Sequence, residues 1–445
     1  MGKRLRIGQF ARAALIMLLA LPSYAGADPL PRRLDFGWTL GEPAAGGVGV
    51  EVKRIAPGGG ADRAGVHAGD VVLQVAGLSA TSDQGISAFR FAGNPRQPVN
   101  VQLLRGPEHL AVRVLPLAAV RENHPGIDTE WGTVIGPGGR RLRTILTLAP
   151  GAARRPAVFI VGWLSCDSVE ISPEHPDSTA LLIKDIVEQS GGAVFRLDKP
   201  GVGDSEGVCS TTDFSTELES YRRAFAVLRA DARIDPNRII VMGISNGGGV
   251  APLVAADASV AGYVAVDGWS KTWFEHMIDL ERRRLTLSGV KPEAIGPAVA
   301  GLSEFHAAYL FDQLTPGEVL RRRPHLAGLW YDEPESQYGR PAAFYHQLQR
   351  LDLAAAWGRV RVPTLVVWGE FDWIMDRADQ EQIVRLVNSD GVQRAELFVV
   401  PGADHNFGRH PDRQSAFDHN GDGSYPAESG QRIIDFIRKI NAVNP

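Results

Sequence analysis

The apolar run Ile239-Ile240-Val241-Met242 passes directly into Gly243-Ile244-Ser245-Asn246-Gly247, and this junction constrains the fold more than any other stretch of the chain. A strand that ends in Gly-x-Ser-x-Gly has the form of a nucleophile elbow, a turn tight enough to lift a serine hydroxyl above a sheet edge. Small residues on both sides are a steric requirement, because a bulky side chain there would collide with adjacent strands. Ser245 is therefore the candidate nucleophile. In a chain with 49 glycines the pentapeptide alone is weak; its weight comes from the strand before it and from partners further along.

Those partners sit at two later strand ends. Val362-Pro363-Thr364-Leu365-Val366-Val367-Trp368-Gly369 reads as a buried parallel strand, and Glu370-Phe371-Asp372 follows at its C-terminal end, where such sheets place their chemistry. Asp372 is the candidate acid. Ala395 to Val400 reads as a further strand that runs into Pro401-Gly402-Ala403-Asp404-His405-Asn406-Phe407, and His405 is the candidate base. One histidine among 11 is ordinarily a solvated side chain, and only its position singles this one out. Asp376 and Asp404 are the rival acids. Asp376 falls at the expected start of the next helix, and Asp404 adjoins His405, so its side chain should point elsewhere. The chemistry needs all three roles. A serine hydroxyl is a poor nucleophile at neutral pH, so an imidazole must take its proton, and a carboxylate must fix the imidazole tautomer and stabilise the imidazolium.

The order serine, acid, histidine, together with two further motifs, makes residues from about 130 to the end resemble an α/β-hydrolase. Ala157-Val158-Phe159-Ile160-Val161-Gly162-Trp163 resembles the strand and loop that supply half of that family's oxyanion hole. Asp198-Lys199-Pro200-Gly201-Val202-Gly203-Asp204-Ser205 resembles its Asp-x-x-Gly-x-Gly-x-Ser turn. One departure is that Val161 stands where the family often has histidine. The resemblance implies a mostly parallel sheet with helices on both faces, over residues 128–445, with a helical cap at about 268–360. It also implies oxyanion donors at the backbone of Asn246 and of Trp163 or Leu164. In such a sheet the loops bearing Cys166 and Cys209 emerge side by side, so a disulfide between them is expected, with two free buried thiols as the alternative.

At 445 residues, 44% apolar and 22% charged, the chain is long enough for two globular domains. Lys3, Arg4, Arg6 and Arg12 precede the apolar run Ala13 to Leu21, and Ala25-Gly26-Ala27 offers a cleavage site, so residues 1–27 read as a secretory signal rather than a membrane anchor. Its loss would remove four basic groups and no acidic ones, doubling the formal charge of −4, which argues against a nucleic-acid partner. A periplasmic or secreted location with no stable membrane span follows, and an oxidising compartment favours cysteine pairing.

Residues 35–118 have a different texture, with short strands at Val48 to Val52, Asp70 to Val75 and Val99 to Leu104, a brief helix at Ala61 to Val66 and another near Ser82 to Ala92. The stretch Ala56-Pro57-Gly58-Gly59-Gly60 through Gly69-Asp70-Val71-Val72 resembles the signature of a bacterial PDZ domain. That resemblance implies capture of a peptide C-terminus by amides near Gly46 and Gly47, or else a dock or gate on the neighbouring domain. Residues 118–130 read as a polar connector, followed by an entry hairpin of Thr133 to Ile135 and Leu142 to Leu148.

The cap is expected to be helical at Thr272 to Leu287 and Glu293 to Phe311. Of its aromatics Trp269, Trp273, Phe274, Phe305, Tyr309 and Phe311, some could line an apolar substrate pocket and the rest form its own core. Asp418-His419-Asn420-Gly421-Asp422-Gly423 opens like a calcium loop, but Ser429 holds the twelfth position, Glu428 is one place early and Pro426 interrupts it, so a tight turn with no metal is expected. A last helix is expected at Gln431 to Ala442. Taken together these features read as an exported serine hydrolase that cleaves small-molecule carboxylic esters without a cofactor. The alternatives are a serine peptidase of the same fold, an acyltransferase, or a peptide-binding protein with an inactive hydrolase domain.

Overall fold

The computed structural model describes residues 30–43, 49–80, 97–151, 154–173, 176–256 and 258–443. The expected signal segment, the loop of Gly46 and Gly47 and the helix expected near Ser82 to Ala92 lie outside them.

The larger unit is built on eight strands: β1 (Asp128–Ile135), β2 (Arg141–Leu148), β3 (Arg155–Val161), β4 (Ala193–Leu197), β5 (Ile234–Ile244), β6 (Gly262–Val266), β7 (Thr364–Gly369) and β8 (Ala395–Val400). Their spatial order is 8-7-6-5-3-4-2-1. The five pairings from β8 to β4 are parallel, and the β1–β2 hairpin joins antiparallel, through β2, at the β4 edge. This is the mostly parallel α/β-hydrolase architecture that the motifs imply. The hairpin pairs Arg141 with Ile135 and Leu148 with Asp128, so β1 starts inside the stretch read as connector.

A strand covered on both faces must be apolar at successive positions. In β3, Phe159 and Val161 pack with Tyr221, Phe225 and Val250, whereas Val158 and Ile160 pack with Leu182, Ile186 and Ile437. The first set belongs to the helices Phe214–Ala230 and Asn246–Val254, the second to Ser178–Gln189 and Ala427–Val443. Burial of each such side chain stabilises by roughly 1.5–3 kcal/mol. The helices start where polar caps permit: Asp177 accepts from Ala180 N and Asp213 from Thr216 N.

Between β6 and β7 the chain leaves the sheet for the helices Trp273–Leu287, Pro292–Leu310, Pro316–Arg322 and Ala342–Leu348. Thr272 with Glu275, and Thr315 with Glu318, form capping boxes at two of these starts.

The N-terminal unit is an antiparallel sheet ordered Trp38–Pro43, Val50–Ile55, Val71–Val75, Val99–Arg105, Glu108–Val114, with the short helix Gly60–Arg63. Val99, Val101 and Leu103 point into its core while Asn100 and Gln102 are exposed. Its entrance and exit pair as Leu34–Asp35 with Leu117–Ala118. Just before them, Arg32 bonds Glu170 (2.6 Å) and Asp204 (3.0 Å) of the larger unit. The connector is anchored rather than merely solvated: buried Glu122 accepts from Arg196 and from Ile171 N (2.8 Å). No helix among the described residues is long and apolar enough to cross a membrane.

Candidate active site

The turn after β5 carries Ser245 at φ 57°, ψ −120°, a left-handed backbone that a side-chain-bearing residue adopts only under constraint, at about 1–3 kcal/mol. Two backbone bonds of 2.8 Å hold it there, Ser245 N to Val266 O and Gly248 N to Ser245 O. The flanking glycines have steric reasons. A Cβ on Gly243 would lie 2.1 Å from Gly247 O, and one on Gly247 would lie 2.1 Å from Val161 O. The helix Asn246–Val254 can therefore leave the sheet only from a glycine-flanked serine.

The loops after β7 and β8 bring the other two residues to this turn. His405 Nε2 lies 2.8 Å from Ser245 Oγ, and His405 Nδ1 lies 2.9 Å from Asp372 Oδ2. The remaining oxygen of buried Asp372 accepts from Ile374 N (2.8 Å) and Met375 N (2.9 Å), which orients the carboxylate. Burial opposes a charge on His405, yet the neighbouring Asp372 carboxylate outweighs it and raises the imidazole pKa above the ordinary histidine value.

The rival acids are occupied elsewhere. Asp376 caps the helix Arg377–Val387 and pairs with Arg283 at 2.8 Å. Asp404 turns away from the serine: it accepts from Asn406 N (3.0 Å) and Gly408 N (2.8 Å) on one oxygen, and from His410 Nε2 (2.9 Å) and Gly421 N (2.8 Å) on the other. The Asp418–Gly423 segment thus serves as a brace beneath the histidine loop, with Asp418 accepting from Gln414.

Sequence reasoning passed over Asp267, which follows β6 immediately and is fully buried at φ 46°. Its Oδ1 accepts from Gly369 N at 2.8 Å. Burial, then the charge of Asp372, hold its carboxyl protonated well above the usual carboxylate range. The signal was present, an aspartate directly after a buried strand, but it was read as the border of the cap. Asp267, Asp372 and His405 form the one group of potential metal ligands within mutual reach among the described residues. Both imidazole nitrogens in that group are already engaged by Ser245 and Asp372.

On the other side of Ser245, Gly162 N donates to Tyr221 Oη (3.1 Å), which leaves the following amides of Trp163 and Leu164 as the loop's oxyanion candidates beside Asn246. All three residues line the cavity. The buried Lys199 sits behind this loop and donates to Trp163 O (2.5 Å) and Leu164 O (3.1 Å). Burial pulls its pKa down to about 8. Cys166 and Cys209 form a disulfide that ties the same loop to the one after β4, and the cap residue Arg340 donates to Cys209 Sγ at 2.8 Å.

The cavity over Ser245 and His405 measures about 460 Å³ and is walled on the cap side by Trp273, His276, Leu280 and Tyr338. Of the six cap aromatics singled out above, Trp273 alone lines it. Trp269, Phe305 and Tyr309 are buried among other rings, and Phe274 pairs with the exposed Phe311.

The model of the alpha/beta hydrolase family matches residues 158–416, more than half of the sequence. The chain belongs to that family. No curated protein matches this hydrolase by sequence. Distantly similar solved structures include an esterase from Pyrobaculum calidifontis, 17% identical with a TM-score of 0.39 over 72% of this chain and 87% of that one. A thermophilic esterase from Thermogutta terrifontis is 18% identical with a TM-score of 0.41 over 70% and 99%. Carboxyl esterase 2 from Tuber melanosporum is 17% identical with a TM-score of 0.42 over 72% and 89%.

Proposed function

We propose that this hydrolase cleaves carboxylic esters of small molecules through an acyl-enzyme on Ser245. The observation that carries the reading is the unbroken hydrogen-bonded line Asp372–His405–Ser245, with the serine on a strained turn at the cavity floor. As Ser245 Oγ attacks the ester carbonyl, His405 Nε2 takes the hydroxyl proton and Asp372 stabilises the imidazolium. The oxyanion is met by Asn246 N–H and an amide of the Trp163–Leu164 loop, and losing one such donor costs about 3 kcal/mol. Collapse expels the alcohol, which leaves with the proton from His405. Water then repeats the sequence and frees the acid.

A fluorophosphonate should label the purified protein and leave Ser245→Ala unlabelled. Turnover of short p-nitrophenyl esters without cleavage of peptide amides is the expected profile. Labelling that survives in Ser245→Ala would sink the assignment, and efficient amide cleavage would make the enzyme a peptidase instead.

The Cys166–Cys209 bridge supports export to an oxidising compartment, which N-terminal sequencing of the mature protein would test by cleavage after Ala27. The N-terminal sheet is read as a PDZ-like module. The Arg32 ion pairs with Glu170 and Asp204 favour its docking role over free peptide capture, so a peptide with a free C-terminus should bind no better than its amidated form.

A further inference from the structure

The carbonyls of the oxyanion loop are held from behind by a buried cluster of charges. Lys199, two residues past β4, donates to Trp163 O (2.5 Å) and Leu164 O (3.1 Å), and its ammonium lies 3.8 Å from Glu217 Oε1. The other carboxylate oxygen of Glu217 accepts from Arg340 of the cap. Lys199, Glu217 and Arg340 are 3%, 2% and 0% exposed. Glu217 and Tyr221 stand one turn apart on the helix Phe214–Ala230, and Tyr221 Oη accepts from Gly162 N (3.1 Å) of the same loop. One helix face thus holds the loop twice, directly through Tyr221 and indirectly through Lys199.

Arg340 reaches this cluster from the cavity wall. The cap hairpin pairs Ser336–Gln337 with Arg340–Pro341, and its turn residue Tyr338 lines the cavity. Two residues later the Arg340 guanidinium lies 4.2 Å from the centre of the Phe344 ring and donates to Cys209 Sγ (2.8 Å). The same short hairpin therefore walls the substrate space and grips Glu217. Burying three charges is costly, and well-packed apolar side chains in their place are often as stabilising or more so. What the cluster adds is a surplus of positive charge, two cations against one carboxylate, behind the amides assigned to the oxyanion.

We infer that Glu217 and Arg340 are positioning residues for ester cleavage: Arg340, seated by the cap, fixes Glu217, and Glu217 keeps Lys199 on the Trp163 and Leu164 carbonyls. The cap then supports the oxyanion hole as well as walling the substrate. This rests on the ester-hydrolase reading above and adds the cap to its machinery. The two residues act on Lys199 with opposite sign. Burial lowers the Lys199 pKa to about 8, the Glu217 carboxylate pulls it up and the Arg340 guanidinium pushes it down. Asp167 and Asp198 also raise it, and Tyr221 is the remaining titratable group beside the cluster. Only the protonated ammonium brings charge to the loop, so the alkaline limb of kcat follows its titration.

The test is the pH dependence of kcat on p-nitrophenyl hexanoate, each rate corrected for spontaneous hydrolysis and each variant checked by Tm and circular dichroism. Wild type should lose rate on the alkaline side around pH 8. Glu217→Gln keeps the shape but removes the charge that pulls the Lys199 pKa up, so its limb should move down by about one pH unit. At pH 8 that shift lowers kcat about fivefold, with KM little changed, because the loop acts on the transition state. Arg340→Met removes the opposing charge and should move the limb up by about one unit, whereas Arg340→Lys retains a cation and should leave it near wild type. A role confined to packing gives a different pattern, since water admitted to a loosened cluster would raise the limb in both Glu217→Gln and Arg340→Met. Limbs that move the same way in those two variants, or one limb shared by Arg340→Met and Arg340→Lys, overturn the inference, and the second comparison decides it where Glu217→Gln does not fold. Failure of wild type to hydrolyse the ester overturns the underlying reading instead.

Discussion

The two walls of the cavity are built on opposite terms. Around the serine the polar groups of the sheet side are tied down: Asp372 receives three hydrogen bonds, His405 uses both nitrogens, and Asp404 receives four beneath it. Asp267 Oδ2 is buried without a hydrogen-bond partner, and burial, then the charge of Asp372, keep that carboxyl protonated. On the cap side His276 and Trp273 are unpaired, and behind them His306 Nδ1 and Tyr309 Oη are unpaired too. Proton transfer requires groups held to within a few tenths of an ångström, which saturated networks supply.

The sharpest way to break this contrast is at the carboxylate that orients His405. Asp372→Asn keeps the shape but favours the wrong imidazole tautomer, so kcat should fall by about 10⁴ with KM for hexanoate nearly unchanged. A loss under tenfold, measured by ester hydrolysis after checking Tm, would mean that the acid is not Asp372.

Next in size is Lys199, which grips the oxyanion loop from behind. In a trans peptide the C=O and N–H point in opposite directions, so a cation held on Trp163 O orients and polarises the Leu164 N–H toward the cavity. Lys199→Met should lower kcat about 10- to 100-fold, less than the roughly 10²–10³-fold cost of losing an oxyanion donor outright, because the donor itself remains. Because burial holds its pKa at about 8, wild type should also lose rate gradually as pH rises through 8, and the variant should not. A loss under twofold would show that the cation does not act on the loop's amide.

The acid limb gives a smaller, graded effect. His405 must be neutral to accept the serine proton, and its raised pKa keeps it protonated to higher pH than a free histidine. The kcat/KM profile should therefore fall with decreasing pH through a midpoint above 6.5, the ordinary value.

The same contrast explains what could be read in the chain beforehand. Ser245, Asp372 and His405 each follow an apolar run, so strand ends betray them, and the two-faced burial of the sheet makes those runs continuous. Asp267 also follows such a run, yet its partner is another carboxyl, a pairing no local pattern announces. The strands Trp38–Pro43 and Glu108–Val114 escaped notice because edge strands need not be apolar: the first holds Gly41 and Pro43, and the second is largely exposed. His276 was invisible for a deeper reason. A histidine one turn after a tryptophan on an amphipathic helix is ordinary core, and only its place on the cavity wall in three dimensions sets it apart.

The disulfide offers the mildest challenge to the rigid wall. Cys166 and Cys209, 43 residues apart, restrain the unfolded chain by at most about 4 kcal/mol in the chain-entropy view. They join two loops that Lys199 and the β3–β4 pairing already hold together. Reduction, or Cys166→Ser with Cys209→Ser, should thus lower Tm by several degrees while kcat/KM at 25 °C drops less than tenfold, the bridge being a stabiliser of geometry that other bonds maintain. Arg340 would lose its sulfur acceptor but keep Glu217, so the cap should remain seated. Near-complete loss of turnover in a reduced protein with unaltered near-UV circular dichroism would place the bridge inside the machinery, and the sheet wall would then be less self-sufficient than its hydrogen bonds suggest.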